Sequence, residues 1–301
     1  MLKQFTIWHF TDGKPGHENQ TRGLIQAMAN VTSIQRHTID VPQSMLLLLW
    51  ALISGNLFRQ LSKLKKPDYL IAAGRRTHFP MLLAKLWFGG KSIVLMRPSW
   101  PKKWFDMLII PEHDHPKASP NILTTQGAIN TITPSFDHDQ NQGIILIGGP
   151  SKHYYWDTSS IIQQISSLLS NMPDRSWTII NSRRTPDNFL TQLQHISHPY
   201  TFIDHHQTSK EWLPKQLATA GQIWVSPDSV SMIYEALTSG GAVGCFDLEK
   251  KGDNRIVKGI EKLMQNGMLT PFKHWQATHT IQPPPSQLNE AQRAADWILN
   301  Q

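Results

Sequence analysis

Short runs of β-branched and aromatic residues alternate with helix-length amphipathic stretches along the chain, the pattern that a parallel sheet wrapped by helices produces. In the first half the apolar runs predict strands near Thr6–Phe10, Tyr69–Ala73, Ser92–Met96 and Met107–Ile110, with a helix near Asn19–Ala29. The second half repeats the alternation, with strands predicted near Ile144–Ile147, Trp177–Asn181, Tyr200–Ile203, Ile223–Ser226 and Ala242–Phe246. Ile161, Ile162, Ile165, Leu168 and Leu169 share one helical face, and Thr185-Pro186 offers a cap followed by proline at a first helical position. The class is α/β, and two successive Rossmann-like units are the economical reading.

Residues 133–142 carry almost no apolar side chains and precede the abrupt apolar run 143–147, which places a linker there and divides the chain into 1–135 and 143–285. After Pro283-Pro284-Pro285, residues 286–301 read as a helix with Leu288, Ala291, Ala295 and Ile298 on one side, expected to return to the first domain. The apolar stretch Met45–Ile53 is too short for a bilayer, which needs roughly 20 apolar residues. A buried helix is one reading; an interfacial helix with Trp50, Leu57, Phe58 and Arg59 at lipid headgroups is the other.

Composition narrows the classes. At 301 residues, with 40% hydrophobic and 17% charged residues, the chain has the balance of an ordinary globular protein and the length for two cores. Its 29 Lys and Arg against 22 Asp and Glu favour anionic partners. The positive charge is scattered, without a basic tail or a nucleic-acid motif, so nucleotides are expected and nucleic acid is not. A single cysteine, Cys245, excludes an internal disulfide and fits a reducing compartment. Met1-Leu2-Lys3-Gln4 leads straight into strand-like residues without a signal peptide, so a cytoplasmic address is expected.

Four segments could carry chemistry. Gly148-Gly149-Pro150-Ser151-Lys152-His153 follows a predicted strand, and its small residues let backbone N–H groups approach a phosphate, although Gly-Gly-Pro also makes an ordinary turn. Ser182-Arg183-Arg184-Thr185 ends another strand, where two arginines could neutralise a diphosphate. At Ser226-Pro227-Asp228-Ser229-Val230-Ser231, hydroxyls gather at a helix start that could take an anion, with simple capping by Asp228 or Ser229 as the plain alternative. Farther along the same helix, Glu235 could accept hydrogen bonds from ribose or sugar hydroxyls. Thr11–Gln20 gathers Asp12, His17 and Glu18 in one glycine-rich loop where general-base chemistry could act on an acceptor hydroxyl; alternatively Glu18 and Asn19 cap the next helix and Asp12 supports the turn. Glu112-His113-Asp114-His115, Asp137-His138-Asp139 and Asp204-His205-His206 contain metal-ligand types, but adjacent ligands on an extended chain point to opposite faces, and no metal is expected.

Together, Thr11–Gln20, Pro111–Asp114, Ile147–His153, Ser182–Pro186 and Asp228–Ala236 resemble the family named for mitochondrial fission in plants, the elongated-mitochondria family, whose bacterial members are taken to be glycosyltransferases. The resemblance covers most of the chain. It implies a GT-B-like architecture with a donor cleft between two Rossmann-like halves, the first acceptor-side and the second nucleotide-sugar-binding. On this view Gly148, Gly149, Ser151 and Lys152 hold donor phosphate, Arg183 and Arg184 line the nucleotide pocket, and Ser229 and Ser231 complete the phosphate site. Glu235 then holds ribose or sugar hydroxyls, and Asp12 is the first choice of base, with His17 and Glu18 behind it. Where the family has an acidic pair, this chain has Pro227-Asp228.

The expectation is a metal-independent glycosyltransferase that needs no cofactor and uses a nucleotide-sugar donor. Bacterial relatives suggest an acceptor in lipopolysaccharide core, and a lipid-linked acceptor with peripheral contact at the inner face of the cytoplasmic membrane would suit the apolar 45–57 stretch. Competing readings are a non-catalytic recruitment protein on the same fold and a sugar-nucleotide epimerase.

Overall fold

The computed structural model describes residues 4–42, 44 and 54–301. Met45–Ile53, the buried or interfacial helix of the sequence reading, lies outside the described residues. The chain divides into two compact units, one of residues 1–131 with 290–301 and one of residues 132–289.

The first unit holds a six-stranded, all-parallel sheet in the order β2-β1-β3-β4-β5-β6, built from β1 (Gln4–Thr11), β2 (Ser33–Asp40), β3 (Tyr69–Ala73), β4 (Lys91–Leu95), β5 (Met107–Pro111) and β6 (Ile122–Thr125). Alternation along its strands feeds two cores. Ile7, Ile71, Ile93 and Ile109 face α1 (Pro15–Val31) through Leu24 and Met28. Trp8, Leu70, Val94 and Leu108 face the other way, onto Met81 and Ala84 of α3 (Arg75–Phe88) and Leu57 and Leu61 of α2 (Asn56–Leu61). Strands β2 and β6 have no counterpart in the sequence reading. Both are edge strands, and β2 fully buries only Ile39, so neither carries the continuous apolar run of a central parallel strand.

The second unit repeats the scheme in the order β12-β11-β10-β7-β8-β9, with β7 (Asp139–Leu146), β8 (Ser176–Ile180), β9 (Thr201–Ile203), β10 (Ala220–Val225), β11 (Ala242–Cys245) and β12 (Thr270–Pro271). One face packs Ile144, Leu146, Ile223 and Val225 on α7 (Val230–Ser239) and α8 (Arg255–Gln265). The other packs Ile145, Ile179 and Trp224 on α4 (Thr158–Asn171), α5 (Asn188–Leu193) and α9 (Phe272–Thr278). Helix α6 (Trp212–Thr219) leads into β10.

Three boundaries differ from the sequence reading. The polar residues Asp139–Gln142 belong to β7 rather than to a linker, because backbone pairing carries the strand beyond its apolar part: Asp139 pairs with Ala220 and Gln142 with Ser176. Thr185-Pro186 does not start a helix; α5 begins at Asn188, and the Thr185 hydroxyl serves elsewhere, as described below. Helix α1 begins at Pro15, four residues before its predicted start, with proline in the first turn where a missing N–H costs nothing. The helix predicted over 286–301 is α10 (Glu290–Leu299); Ala294, Ala295 and Ile298 are buried with Leu24 and Met28 in the first unit's core.

Candidate functional site

Ligands of open parallel sheets collect at the carboxyl ends of the strands where the strand order reverses. In the second unit that point lies between β7 and β10, whose following segments are Ile147–Lys152 and Ser226–Ser229. In the first unit it lies between β1 and β3, followed by Asp12–Lys14 and Gly74. Three of the four chemistry-bearing segments therefore fall on the two switch points, each within its own unit, and the fourth, Ser182–Thr185, follows β8, the neighbour of β7.

In the second unit three loops are tied together. The Gly148 amide donates to Ser226 Oγ at 2.8 Å and the Gly149 amide to Asp228 Oδ2 at 2.9 Å. The Gly148 carbonyl accepts from Thr185 Oγ1 at 2.6 Å and Ser182 Oγ at 3.1 Å. Arg184 closes the set with a 2.7 Å ion pair to Asp228, and its other terminal nitrogen donates to the Gly149 and Pro150 carbonyls. A Cβ on Gly148 would sit 2.1 Å from Asp228 Oδ2, so only glycine lets the carboxylate approach this closely.

These contacts revise the assigned roles. The Gly148 and Gly149 amides are engaged by side chains of the neighbouring loop, so they shape the turn rather than hold a phosphate. Arg184 braces that turn. Asp228 does not cap α7; it faces back to Gly149 and Arg184, and Ser229 occupies the N-cap position without a side-chain cap bond. The groups left for an anion are the exposed Lys152, Arg183 and Ser231, with Ser229 at the head of α7 and Ser151, whose hydroxyl accepts from the His153 and Tyr154 amides. Glu235 lies half-buried on α7, in its second turn. Lys251 joins this rim, since its ammonium donates to the Ser151 carbonyl at 2.9 Å. Sequence reasoning passed over Lys251 because it lies 100 residues away along the chain.

In the first unit, Asp12 lies in the loop after β1, whereas His17 and Glu18 stand in the first turn of α1. His17 Nδ1 is 3.0 Å from each carboxylate oxygen of Asp12. The Asp12 side chain is 1% exposed and that of His17 23%. The order of preference for a base therefore changes: Asp12 is inaccessible and orients the ring, while His17 is the member of the pair that reaches solvent. With Nδ1 protonated toward Asp12, Nε2 carries the lone pair. Glu18 accepts from Thr11 Oγ1 at 3.1 Å and braces the loop.

Gly74 is the residue that sequence reasoning missed here. Its φ of 93° is a left-handed conformation, and a Cβ there would meet His17 Nδ1 at 2.4 Å. The remaining signal was only a glycine ending a strand, as in Ala73-Gly74-Arg75. Behind it lies buried His78, whose ring packs edge-on to Phe105; burial, aided by the charge of His17, lowers its pKa to about 4. His9 under the same loop is likewise lowered to about 4 by burial and then by Arg36, and it shares a 2.7 Å hydrogen bond with Thr21.

The family model for mitochondrial fission ELM1 matches residues 15–301. The chain belongs to the mitochondrial fission ELM1 family. Among curated proteins, this ELM1-family chain is 24% identical to the uncharacterised protein RP120 of Rickettsia prowazekii, with 97% of each covered. Among solved structures it is similar to the UDP-GlcNAc 2-epimerase of Methanocaldococcus jannaschii, with 11% identity, 99% and 100% of the chains covered and a TM-score of 0.62. It is similar too to the UDP-GlcNAc 2-epimerase of Neisseria meningitidis, solved with UDP-GlcNAc bound (12%, 99% and 100%, TM-score 0.59). MurG of Acinetobacter baumannii is a third (13%, 99% and 100%, TM-score 0.57). These likenesses establish the GT-B fold of two Rossmann-like domains for this ELM1-family member.

Among the described residues, Asp204, His205 and His206 bring three ligand-type atoms within 4.8 Å of one another. The group is held by protein contacts: Asp204 accepts from Asn181 Nδ2 at 2.9 Å and from the His206 amide at 2.8 Å, and the Asn181 side-chain oxygen lies 3.0 Å from His205 Nδ1. Burial pushes the Cys245 thiol up, so this cysteine is a packing residue rather than a nucleophile. No helix among the described residues is long and apolar enough to cross a membrane.

Proposed function

We propose that this protein is a GT-B glycosyltransferase that moves a sugar from a nucleotide-sugar donor to the hydroxyl of a saccharide or lipid-linked acceptor, in lipopolysaccharide-core or other envelope glycan synthesis. The observation that carries the reading is the Asp12–His17 pair: a buried carboxylate orients an imidazole that is itself accessible, at a ligand-binding switch point. His17 Nε2 takes the proton of the acceptor hydroxyl as its oxygen attacks the anomeric carbon. The bond from that carbon to the donor's phosphate oxygen breaks, and the nucleoside diphosphate leaves with the electron pair. Within the second unit, Lys152, Arg183 and the N-terminus of α7 are the groups suited to a diphosphate's charge, and Glu235 is suited to accept from ribose or sugar hydroxyls. Every step uses groups of the chain itself, so no metal or cofactor is invoked. The UDP-GlcNAc held by the Neisseria epimerase of like fold supports the choice of donor class.

Calorimetry against UDP, GDP, CMP and their sugar conjugates tests the donor site, with Arg183→Ala and Glu235→Ala alongside. Selective binding weakened in both variants is expected. Binding of none of them would sink the reading and favour a recruitment protein. Two of the similar structures are epimerases, which favours that activity as the second reading. Product analysis separates the two: an epimerase alters the donor's sugar without an acceptor, whereas a transferase releases nucleoside diphosphate only as sugar appears on the acceptor.

A further inference from the structure

Five of the nine exposed large hydrophobic side chains among the described residues are Phe58, Phe79, Leu86, Trp87 and Trp104, all contributed by 47 residues of the first unit. They follow one path. Phe79, Leu83, Leu86 and Trp87 recur on α3 at the spacing of a single helical face, yet this face looks outward, with Leu86 79% exposed. At one end Phe79 stacks on Trp100, which packs on Trp104 at 5.2 Å between ring centres. At the other end Trp87 meets Phe58 of α2 edge-on at 5.3 Å. The rings thus join α2, α3 and the 98–104 loop into one apolar-aromatic stripe.

The charge around it is equally one-sided. Between Ser54 and Trp104 there are eleven Lys and Arg, of which Lys85 pairs with Asp106 at 2.6 Å, and one acid, Asp68, which is spent on the Thr6 amide at 2.7 Å. The rest of the chain carries more acids than bases. Helix α3 has no acid at all, and Lys102-Lys103 directly precede Trp104. A protein partner's apolar groove would suit the leucines but not this excess of cations. Aromatic rings flanked by Lys and Arg suit the headgroup layer of an anionic bilayer, where rings enter the interface and cations meet lipid phosphates.

We propose that this stripe docks the first unit on an anionic lipid surface. The proposal goes beyond the catalytic reading and does not depend on it, since it concerns α2, α3 and the 98–104 loop rather than either switch point. It carries a consequence for acceptor choice: α3 begins at Arg75, directly after Gly74, which abuts His17, and Phe79 of the stripe follows five residues after Gly74. A docked stripe holds that pair at headgroup level, where a lipid-linked hydroxyl is presented.

The test is co-sedimentation of the full chain with phosphatidylcholine vesicles, with and without about one-third phosphatidylglycerol, and no nucleotide present. Binding to the anionic vesicles only is expected, weakening as salt is raised. Lys102→Glu/Lys103→Glu, which alters only surface charge, should lower the partition coefficient about tenfold or more. Phe79→Ser/Trp104→Ser should lower it comparably, with circular dichroism confirming the fold. Absence of binding to anionic vesicles, or binding that both variants retain, would overturn the proposal. So would self-association in ultracentrifugation that these same variants abolish, because the stripe would then be an interface between copies.

Discussion

The Asp228 carboxylate lies 2.7 Å from the Arg184 guanidinium, with the carboxylate sealed from solvent and the arginine partly open to it. The pair spans two loops that are 44 residues apart in sequence and meet only at the switch point. Replacing Asp228 by alanine leaves the Gly149 amide and Arg184 without their acceptor. Because Arg184 can rehydrate, the expected loss is about 2 kcal/mol, below the range for a fully buried pair. Thermal denaturation measures it, and nucleotide calorimetry on the same variant should show weaker binding as the turn loosens. Unchanged stability and binding would remove Asp228 from its bracing role.

At Gly74 the prediction concerns catalysis more than folding. An alanine there places a methyl group 2.4 Å from His17 Nδ1 on a backbone that disfavours it. The Asp12–His17 pair must separate, and transfer should slow about a hundredfold with donor affinity unchanged. Single-turnover kinetics together with donor calorimetry separate the two effects.

The two buried histidines set a pH dependence. His9 and His78 have pKa values lowered to about 4, so between pH 4 and 6.5 the unfolded chain binds protons that the folded chain does not. Stability is then full above about pH 6.5 and falls as pH drops toward 4, by on the order of 3 kcal/mol for each histidine. His78→Leu should flatten roughly half of that slope in urea titrations across this range. A slope identical to that of the parent would show that His78 titrates normally.

The central strands were legible because both faces of each parallel sheet are covered, which writes each strand as a continuous apolar run such as Leu108-Ile109-Ile110 or Ile144-Ile145-Leu146. The edge strand Ser33–Asp40 was not, since it fully buries only Ile39 and its order comes from backbone pairing to β1. The site segments were legible as glycine, arginine and serine at strand ends. Their internal bookkeeping was not. That the Gly148 and Gly149 amides are satisfied by Ser226 and Asp228, or that Gly74 leaves room for the Asp12–His17 pair, depends on loops from distant strands converging at the switch points. No local spacing encodes that convergence.

Ile298 on α10 is fully buried among residues of α1 and the first sheet. Ile298→Ala should therefore cost about 2–5 kcal/mol, as for other buried large-to-small changes, although it lies more than 280 residues from β1. Urea denaturation reads the change directly.

The return of α10 also orders events during synthesis. Every residue of the second unit leaves the ribosome before Ile298 does, whereas the first unit, begun earlier, waits for a helix made after all of the second unit. The second unit can therefore finish folding while Leu24 and Met28 are still uncovered. The vulnerable nascent species is the older domain, and a chaperone that shields it must stay bound until α10 has been made.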